Sequence, residues 1–213
     1  MLISEWKGMK LHGLLEGGKM SFTPAFEIGI WNAWILAALF FLSMFIPDIF
    51  LDKEARKKSK RLSQFPPFNK SKRIMALSTH AVIMPLVFIY SIFLPLMTGT
   101  AWLFVGLAVF AAALVISVTT IFNIASAAAE SPVTNGVYKI SRHPIYLSGF
   151  LMFTGMGIAC ASWVVLLLAV AWIVLWRILV PTEEKLLIEK YGDDYRDFMM
   201  RTPRWIGIPK SPT

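Results

Sequence analysis

The sequence predicts an all-α integral membrane protein: a bundle of about five transmembrane helices with a cytoplasmic helical segment at its C-terminal end. Three observations carry this reading. Of 213 residues, 56% are hydrophobic and only 16% charged, whereas a soluble domain carries about 25% charged residues. Two long stretches, Ile74 to Ala129 and Pro144 to Trp176, contain no Asp, Glu, Lys or Arg. The 21 basic residues crowd beside the apolar runs, as orientation by cytoplasmic positive charge requires. That crowding accounts for the net charge of +8 without invoking nucleic acid. The single Cys160 excludes an intrachain disulfide and a Cys-rich metal site. No two histidines are close in sequence, so no metal is expected, and no Walker loop or GxGxxG is present. Glu5 and Glu16 interrupt the N-terminus, so no secretory signal peptide is expected.

Residues 1–25 form a tail, with Leu2 to Leu15 open to two readings, a surface-lying amphipathic helix or a poorly ordered segment. The first span covers about Phe26 to Phe50, with Trp31 and Trp34 where the aromatic belt of a bilayer lies. Residues 51–73 hold nine Lys or Arg against Asp52 and Glu54, which predicts a cytoplasmic loop able to hold anionic lipid. Pro66 and Pro67 argue against continuous helix there. The 56 residues from Ile74 to Ala129 are too long for one crossing of a core about 30 Å thick and fit two. Span two is about Ile74 to Met97 and span three about Ala101 to Ile124, parted at Thr98-Gly99-Thr100. Span four runs from Pro144 to about Ala159, and span five from Trp163 to about Val180 after a tight turn at Ala161-Ser162. Pro181 is expected to break the helix, because it lacks an amide donor and clashes with the preceding turn.

The chain reads as a single membrane domain, with three spans in 26–132 and a loop, a helical hairpin and C-terminal helices in 133–213. Five spans put the N-terminus outside and the C-terminus inside. The two outer turns hold no basic residue, and 18 of the 21 basics, all but Lys7, Lys10 and Lys19, fall at or beyond the cytoplasmic ends. After Pro181 acids and bases alternate, and Leu187/Tyr191 and Tyr195/Met199 each stand four apart on one helix face. Gly192 interrupts this segment, and Asp193 is placed to cap the helix that follows.

The residues that carry chemistry fall in two clusters. NGVYKISRHPIYLSG, Asn135 to Gly149, holds Tyr138, Arg142, His143, Pro144 and Tyr146, while Glu183 and Glu184 follow span five, with Tyr191 and Tyr195 beyond. His143 and Glu183 are 40 residues apart, one helical crossing out and one back at about 1.5 Å per residue. The clusters therefore return to one membrane face, and a shared cytoplasm-facing pocket is expected. Each residue alone has a plainer reading. Arg142 suits a charge anchor, His143 a packed interfacial histidine, and Pro144 the first residue of a helix. Arg177 suits a snorkelling side chain, and the two acids suit partners of Arg177, Lys185 or the basic loop. His80 reads as a packed histidine rather than a ligand, and Gly149, Gly155 and Gly157 as small residues that let spans four and five approach. Two acids on a basic face, with four of the five tyrosines around the clusters, favour the pocket. A zwitterionic ligand suits it, with an anionic group for Arg142 and His143 and a cationic or polyhydroxyl group for the acids. S-adenosylmethionine has all of these.

At these residues the sequence resembles the membrane-embedded methyltransferases of the isoprenylcysteine carboxyl methyltransferase and phospholipid methyltransferase superfamily. The resemblance covers about Val133 to Pro209 and rests on NGVYKISRHPIYLSG, a spacer of hairpin length, then VPTEEKLLIEKYGDDYRDFMMRTPRW. It implies S-adenosylmethionine-dependent methyl transfer, at the cytoplasmic face, to a lipophilic or membrane-associated acceptor of the prenylcysteine carboxylate or phospholipid amine type. Carried onto this chain, the Gly136-Val137-Tyr138 backbone, Arg142, His143, Pro144 and Tyr146 become cofactor contacts. Glu183 and Glu184 would meet the polar end of the cofactor, and Tyr191 and Tyr195 would close the cytoplasmic side. Arg177, as substrate anchor, and Glu184 become the catalytic candidates. Related motifs occur in membrane sterol and steroid reductases that use NADPH, but those typically read RHPNY and have more spans, where this chain has Ile145. A third reading, a non-catalytic carrier or scaffold, is opposed by the intact His143 and paired acids. Methyl transfer from a sulfonium needs alignment more than acid–base help, and a lipophilic acceptor would enter between spans. No pattern in the sequence bears on oligomeric state.

Overall fold

The computed structural model describes residues 20–23, 26, 28–62, 69–127 and 131–209. The stretches Leu2 to Leu15 and Pro66-Pro67 lie outside the described residues, as does the side chain of His80. Within them all regular elements are helical: α1 (Trp34–Phe50), α2 (Lys53–Leu62), α3 (Lys70–Ser91), α4 (Ala101–Ser126), α5 (Pro144–Ala159), α6 (Trp163–Tyr191) and α7 (Asp193–Arg201), with a 3₁₀ turn at Gly136–Lys139. Three of them, α3, α4 and α6, are long and apolar enough to cross a membrane, and α1 and α5 are shorter apolar helices. Large apolar side chains such as Leu42, Phe45, Phe104, Val115, Leu167 and Val174 are exposed on these helices. Water would penalise such a surface, whereas lipid accepts it. The all-α membrane bundle read from the sequence is the fold the chain adopts.

Several boundaries differ from the expected ones. Helix α1 begins at Trp34 rather than near Phe26, and α3 ends at Ser91 rather than Met97. The two non-helical stretches that result lie side by side and satisfy one another. The Ala33 amide donates to the Leu94 carbonyl at 2.8 Å, the Leu96 amide to Trp31 at 2.9 Å, and the Asn32 side chain to the Ile92 carbonyl at 2.7 Å. A bundle immersed in lipid must pair its backbone internally, and this mutual pairing lets both helices stop short. The middle of α3, Thr79–Ile83, is wound as a π-helix just before Pro85. Proline donates no hydrogen bond and crowds the preceding turn, which favours such a widening.

Pro181 does not end the fifth apolar helix. Helix α6 continues through it to Tyr191, because one lost hydrogen bond is outweighed by packing: Trp176, Leu179 and Val180 on its inner face are fully buried. The apolar part of α6, residues 163–180, is thus extended by an unbroken polar portion that carries Glu183 and Glu184. The helix stops at Gly192, whose φ is +59°, a value glycine tolerates best. Gly192 rather than Asp193 occupies the N-cap position of α7, and Asp193 lies in its first turn, where an acid suits the helix dipole.

The glycines pack differently from the expected arrangement. A Cβ on Gly155 would stand 2.6 Å from the Phe110 amide nitrogen, and one on Gly106 2.6 Å from the Gly155 carbonyl oxygen. The closest backbone approach is therefore between α4 and α5. Gly149 and Gly157 do serve the α5–α6 hairpin, facing the Trp172 indole and Leu166. At one end of the bundle the Met97 amide bonds the Ala159 carbonyl at 3.0 Å, and Ser21 bonds the Ala161–Trp163 turn. At the other end Lys72 of α3 bonds the Thr182 hydroxyl. The basic N-terminus of α3, the RHP loop and the polar end of α6 share that second end.

Candidate active site

The loop before α5 is built to approach α4. Gly136 has φ +55°, and a Cβ there would run into the Asn123 side-chain amide, so both conformation and space demand glycine. Asn123 Oδ1 accepts the Val137 amide at 3.1 Å, which pins the 3₁₀ turn to the end of α4. The chain then reaches Ser141, whose hydroxyl accepts the His143 amide at 3.1 Å. His143 is the N-cap residue of α5 and Pro144 its first helical residue, a position where proline's missing amide costs nothing.

Here the two clusters meet. The Tyr146 hydroxyl donates to Glu183 Oε2 at 3.0 Å. His143 stands between the acids, with Nε2 3.3 Å from Glu184 Oε1 and Nδ1 3.7 Å from Glu183 Oε2. Arg142 reaches Glu184 at 2.8 Å, and Arg204, from the segment after α7, grips the same carboxylate through Nη2 at 2.5 Å and Nε at 3.2 Å. Arg142 also donates to the Met199 and Thr202 carbonyls at 2.8 and 3.2 Å, tying the loop to the C-terminal end of α7. Toward the bundle core Tyr146 lies flat on Trp176 with ring centroids 3.6 Å apart, and the Trp172 indole donates to the Tyr146 carbonyl at 3.0 Å.

A pocket opens between these elements, with about 620 Å³ of space including its open mouth. Of the residues singled out in the sequence, Tyr138, Arg142, His143, Pro144, Tyr146, Glu183, Tyr191 and Tyr195 line it, together with Ile124, Pro132, Val133, Ile145, Leu187 and Phe198. Gly136 and Val137 are not in the lining and act behind it through Asn123. Glu184 is not in the lining either, being 3% exposed and taken up by Arg142, Arg204 and His143. Arg177 is exposed on α6 and joins neither the pocket nor the ion-pair cluster.

The two adjacent acids sit in opposite electrostatic settings. Burial pushes the Glu184 carboxyl up, but His143, Arg204 and Arg142 outweigh it and hold it at about 2. Burial also pushes Glu183 up; His143 and Tyr146 oppose this, neighbouring Glu184 adds to it, and the carboxyl ends above its ordinary value. Burial and the nearby acids raise the Tyr195 hydroxyl as well. That hydroxyl and Arg142 Nε, both buried, have no hydrogen-bond partner among the described residues. Buried polar atoms are nearly always paired, so two orphans on pocket-lining residues point to a ligand that supplies the partners. No group of three or more His, Cys, Asp or Glu able to hold a metal occurs among the described residues.

Arg204, Asn123 and Trp176 escaped the sequence reading. Asn123 left a signal, an amide at the end of a charge-free helix. Arg204 left one only in retrospect, since a buried acid next to Glu183 demands more positive charge than the RHP loop supplies.

Fold and site together define a helical membrane protein with an aromatic, acid-bearing pocket at the basic end of its bundle. Residues 102–194, from α4 into α7, match the phospholipid methyltransferase family. Part of the chain is 34% identical over 83 residues to the protein-S-isoprenylcysteine O-methyltransferase of Schizosaccharomyces pombe, an alignment covering 38% of this chain and 34% of that protein. The matched region spans about a third of the length of that curated relative. The match falls on the segment that holds α4, the RHP loop and the α5–α6 hairpin, and both similarities support the isoprenylcysteine carboxyl methyltransferase and phospholipid methyltransferase superfamily that the sequence resembles.

Proposed function

We propose that the protein transfers a methyl group from S-adenosylmethionine to a lipophilic or membrane-associated acceptor, of the prenylcysteine carboxylate or phospholipid amine type, at the cytoplasmic face. The observation that carries this reading is the convergence of Tyr146 and His143 from α5 with Glu183 from α6 on one pocket. The residues fit the cofactor. Glu183 offers a carboxylate to a positive group, the Tyr195 hydroxyl and Arg142 Nε offer donors, and the tyrosines offer flat faces to an adenine. Bound there, the cofactor would supply an electrophilic methyl group. Tyr138, Arg142, His143, Pro144, Tyr146, Glu183, Tyr191 and Tyr195 would hold and orient it, with Gly136 and Val137 shaping the wall and Glu184 acting from behind. Alignment of reacting groups by such a wall is worth several kcal/mol, up to about 7 to 11. Arg177, exposed on α6, would meet an acceptor that arrives from the lipid. The basic residues of 51–73 would hold anionic lipid, at about 1 kcal/mol per residue near the surface.

Purified protein should bind S-adenosylhomocysteine in calorimetry and give no heat with NADPH; the reverse preference would move it to the reductases. Mass spectrometry of membrane lipid and thiol pools with and without the protein should then identify the acceptor. Cysteines placed at 60 and 99 should label from the cytoplasm and from outside respectively. The opposite labelling would put the pocket on the other side of the membrane.

A further inference from the structure

Glu184 is more heavily occupied than any other described acid. It receives Arg142, two nitrogens of Arg204 and one nitrogen of His143, and it is buried. Arg204 lies beyond residue 194, where the match to the phospholipid methyltransferase family ends, but within the stretch to Pro209 that carries the sequence resemblance. The strap that carries it is anchored separately: the Arg142 amide bonds the Pro203 carbonyl at 3.0 Å, and the Gly207 amide bonds Ile140 at 3.2 Å. Trp205 packs near the His143 ring, at 6.3 Å between centroids. Nothing in these backbone contacts needs the Arg204 guanidinium, so its two bonds to Glu184 are a separate feature.

We infer that Arg204 is a positioning residue of this site: by neutralising Glu184 it holds His143 between the two acids and leaves Glu183 as the member of the pair that meets a positively charged ligand. This rests on the reading of the pocket as a cofactor site. Without Arg204, Glu184 would share Arg142 and draw harder on His143, and its charge would act on Glu183 through the gap that His143 now fills. The groups that act on Glu183 are His143, Tyr146 and neighbouring Glu184, together with Tyr138 and Tyr195, and Arg142 lines the same pocket. None of these cations replaces Arg204, because Arg142 is already committed to Glu184 and to two carbonyls.

The test reads Glu183 directly and needs no ligand. Infrared difference spectra between wild type and Glu183→Gln, stepped through pH, give the midpoint at which Glu183 loses its proton. Arg204→Gln should raise that midpoint by about one unit, the low end of the roughly one to three units that a nearby opposite charge is worth. Arg204→Lys, which keeps the charge, should return it toward wild type. The pH at which S-adenosylhomocysteine binding switches on should move by the same amount. An unchanged Glu183 midpoint in Arg204→Gln, with only the melting temperature lowered, would make Arg204 a plain structural contact and overturn the inference. Absence of S-adenosylhomocysteine binding by the wild type would instead defeat the cofactor reading, while the infrared result would still decide the role of Arg204.

Discussion

Arg142 and Glu184, 42 positions apart in the chain, meet at 2.8 Å with side chains 8% and 4% exposed. The pair locks the loop before α5 to the polar end of α6, with Arg142 in the pocket wall and Glu184 behind it. Its worth is seen on removal of one partner, because an isolated buried charge is costly. Glu184→Gln should cost about 3 to 5 kcal/mol of stability, read as a lowered melting temperature in detergent. Glu183→Gln should leave the unliganded protein as stable as wild type or more so, since burial already disfavours its charge.

The depressed carboxyl of Glu184 gives stability a defined pH dependence. A lowered acid contributes stability that is complete above its unfolded value and lost as pH falls through its folded one. For Glu184 the window runs from about 4.5 down to about 2. Melting temperature should fall across that window in wild type and fall less in Glu184→Gln. Equal slopes in the two proteins would mean that other carboxyls carry the effect.

Glu183 should control binding rather than folding. Its raised carboxyl attracts a positive group only when ionised, so affinity for S-adenosylhomocysteine should rise with pH as its proton leaves. Glu183→Gln should abolish that dependence and weaken binding about tenfold to a hundredfold, the equivalent of about 1.5 to 3 kcal/mol for a charge-assisted hydrogen bond. Calorimetry across pH on both proteins decides it, and unchanged affinity would remove Glu183 from the site.

The unpartnered Tyr195 hydroxyl yields a test with two separable readouts. Tyr195→Phe removes a buried group that bonds no described residue, so melting temperature should hold or rise slightly. If a ligand partners the hydroxyl, affinity should drop about twofold to tenfold, the span of about 0.5 to 1.5 kcal/mol for one hydrogen bond. A loss of stability with affinity intact would show that the hydroxyl serves the fold.

Gly106 and Gly155 mark the closest approach of α4 and α5. Either one replaced by alanine forces backbone apart, at about 1 to 3 kcal/mol for overpacking. Both changes act on a single contact, so the double variant should cost less than the sum. Thermal unfolding of the two singles and the double would measure this, and full additivity would place the glycines in separate contacts.

Composition and two charge-free stretches were enough to identify a helical membrane bundle, because lipid tolerates only backbone that satisfies itself. The return of His143 and Glu183 to one place was legible too, since a 40-residue separation is a length that helices of fixed rise convert into distance. The different roles of the two acids were not. Adjacent identical residues look alike in sequence, yet on a helix they point about 100° apart. Tertiary packing alone put Glu183 on the pocket wall and Glu184 among Arg142, His143 and Arg204. The same holds at Pro181, where local chemistry argued for a break and the buried face of α6 kept the helix intact. Local rules set what each segment prefers; which side of a helix finds a partner depends on neighbours that only the assembled bundle brings together.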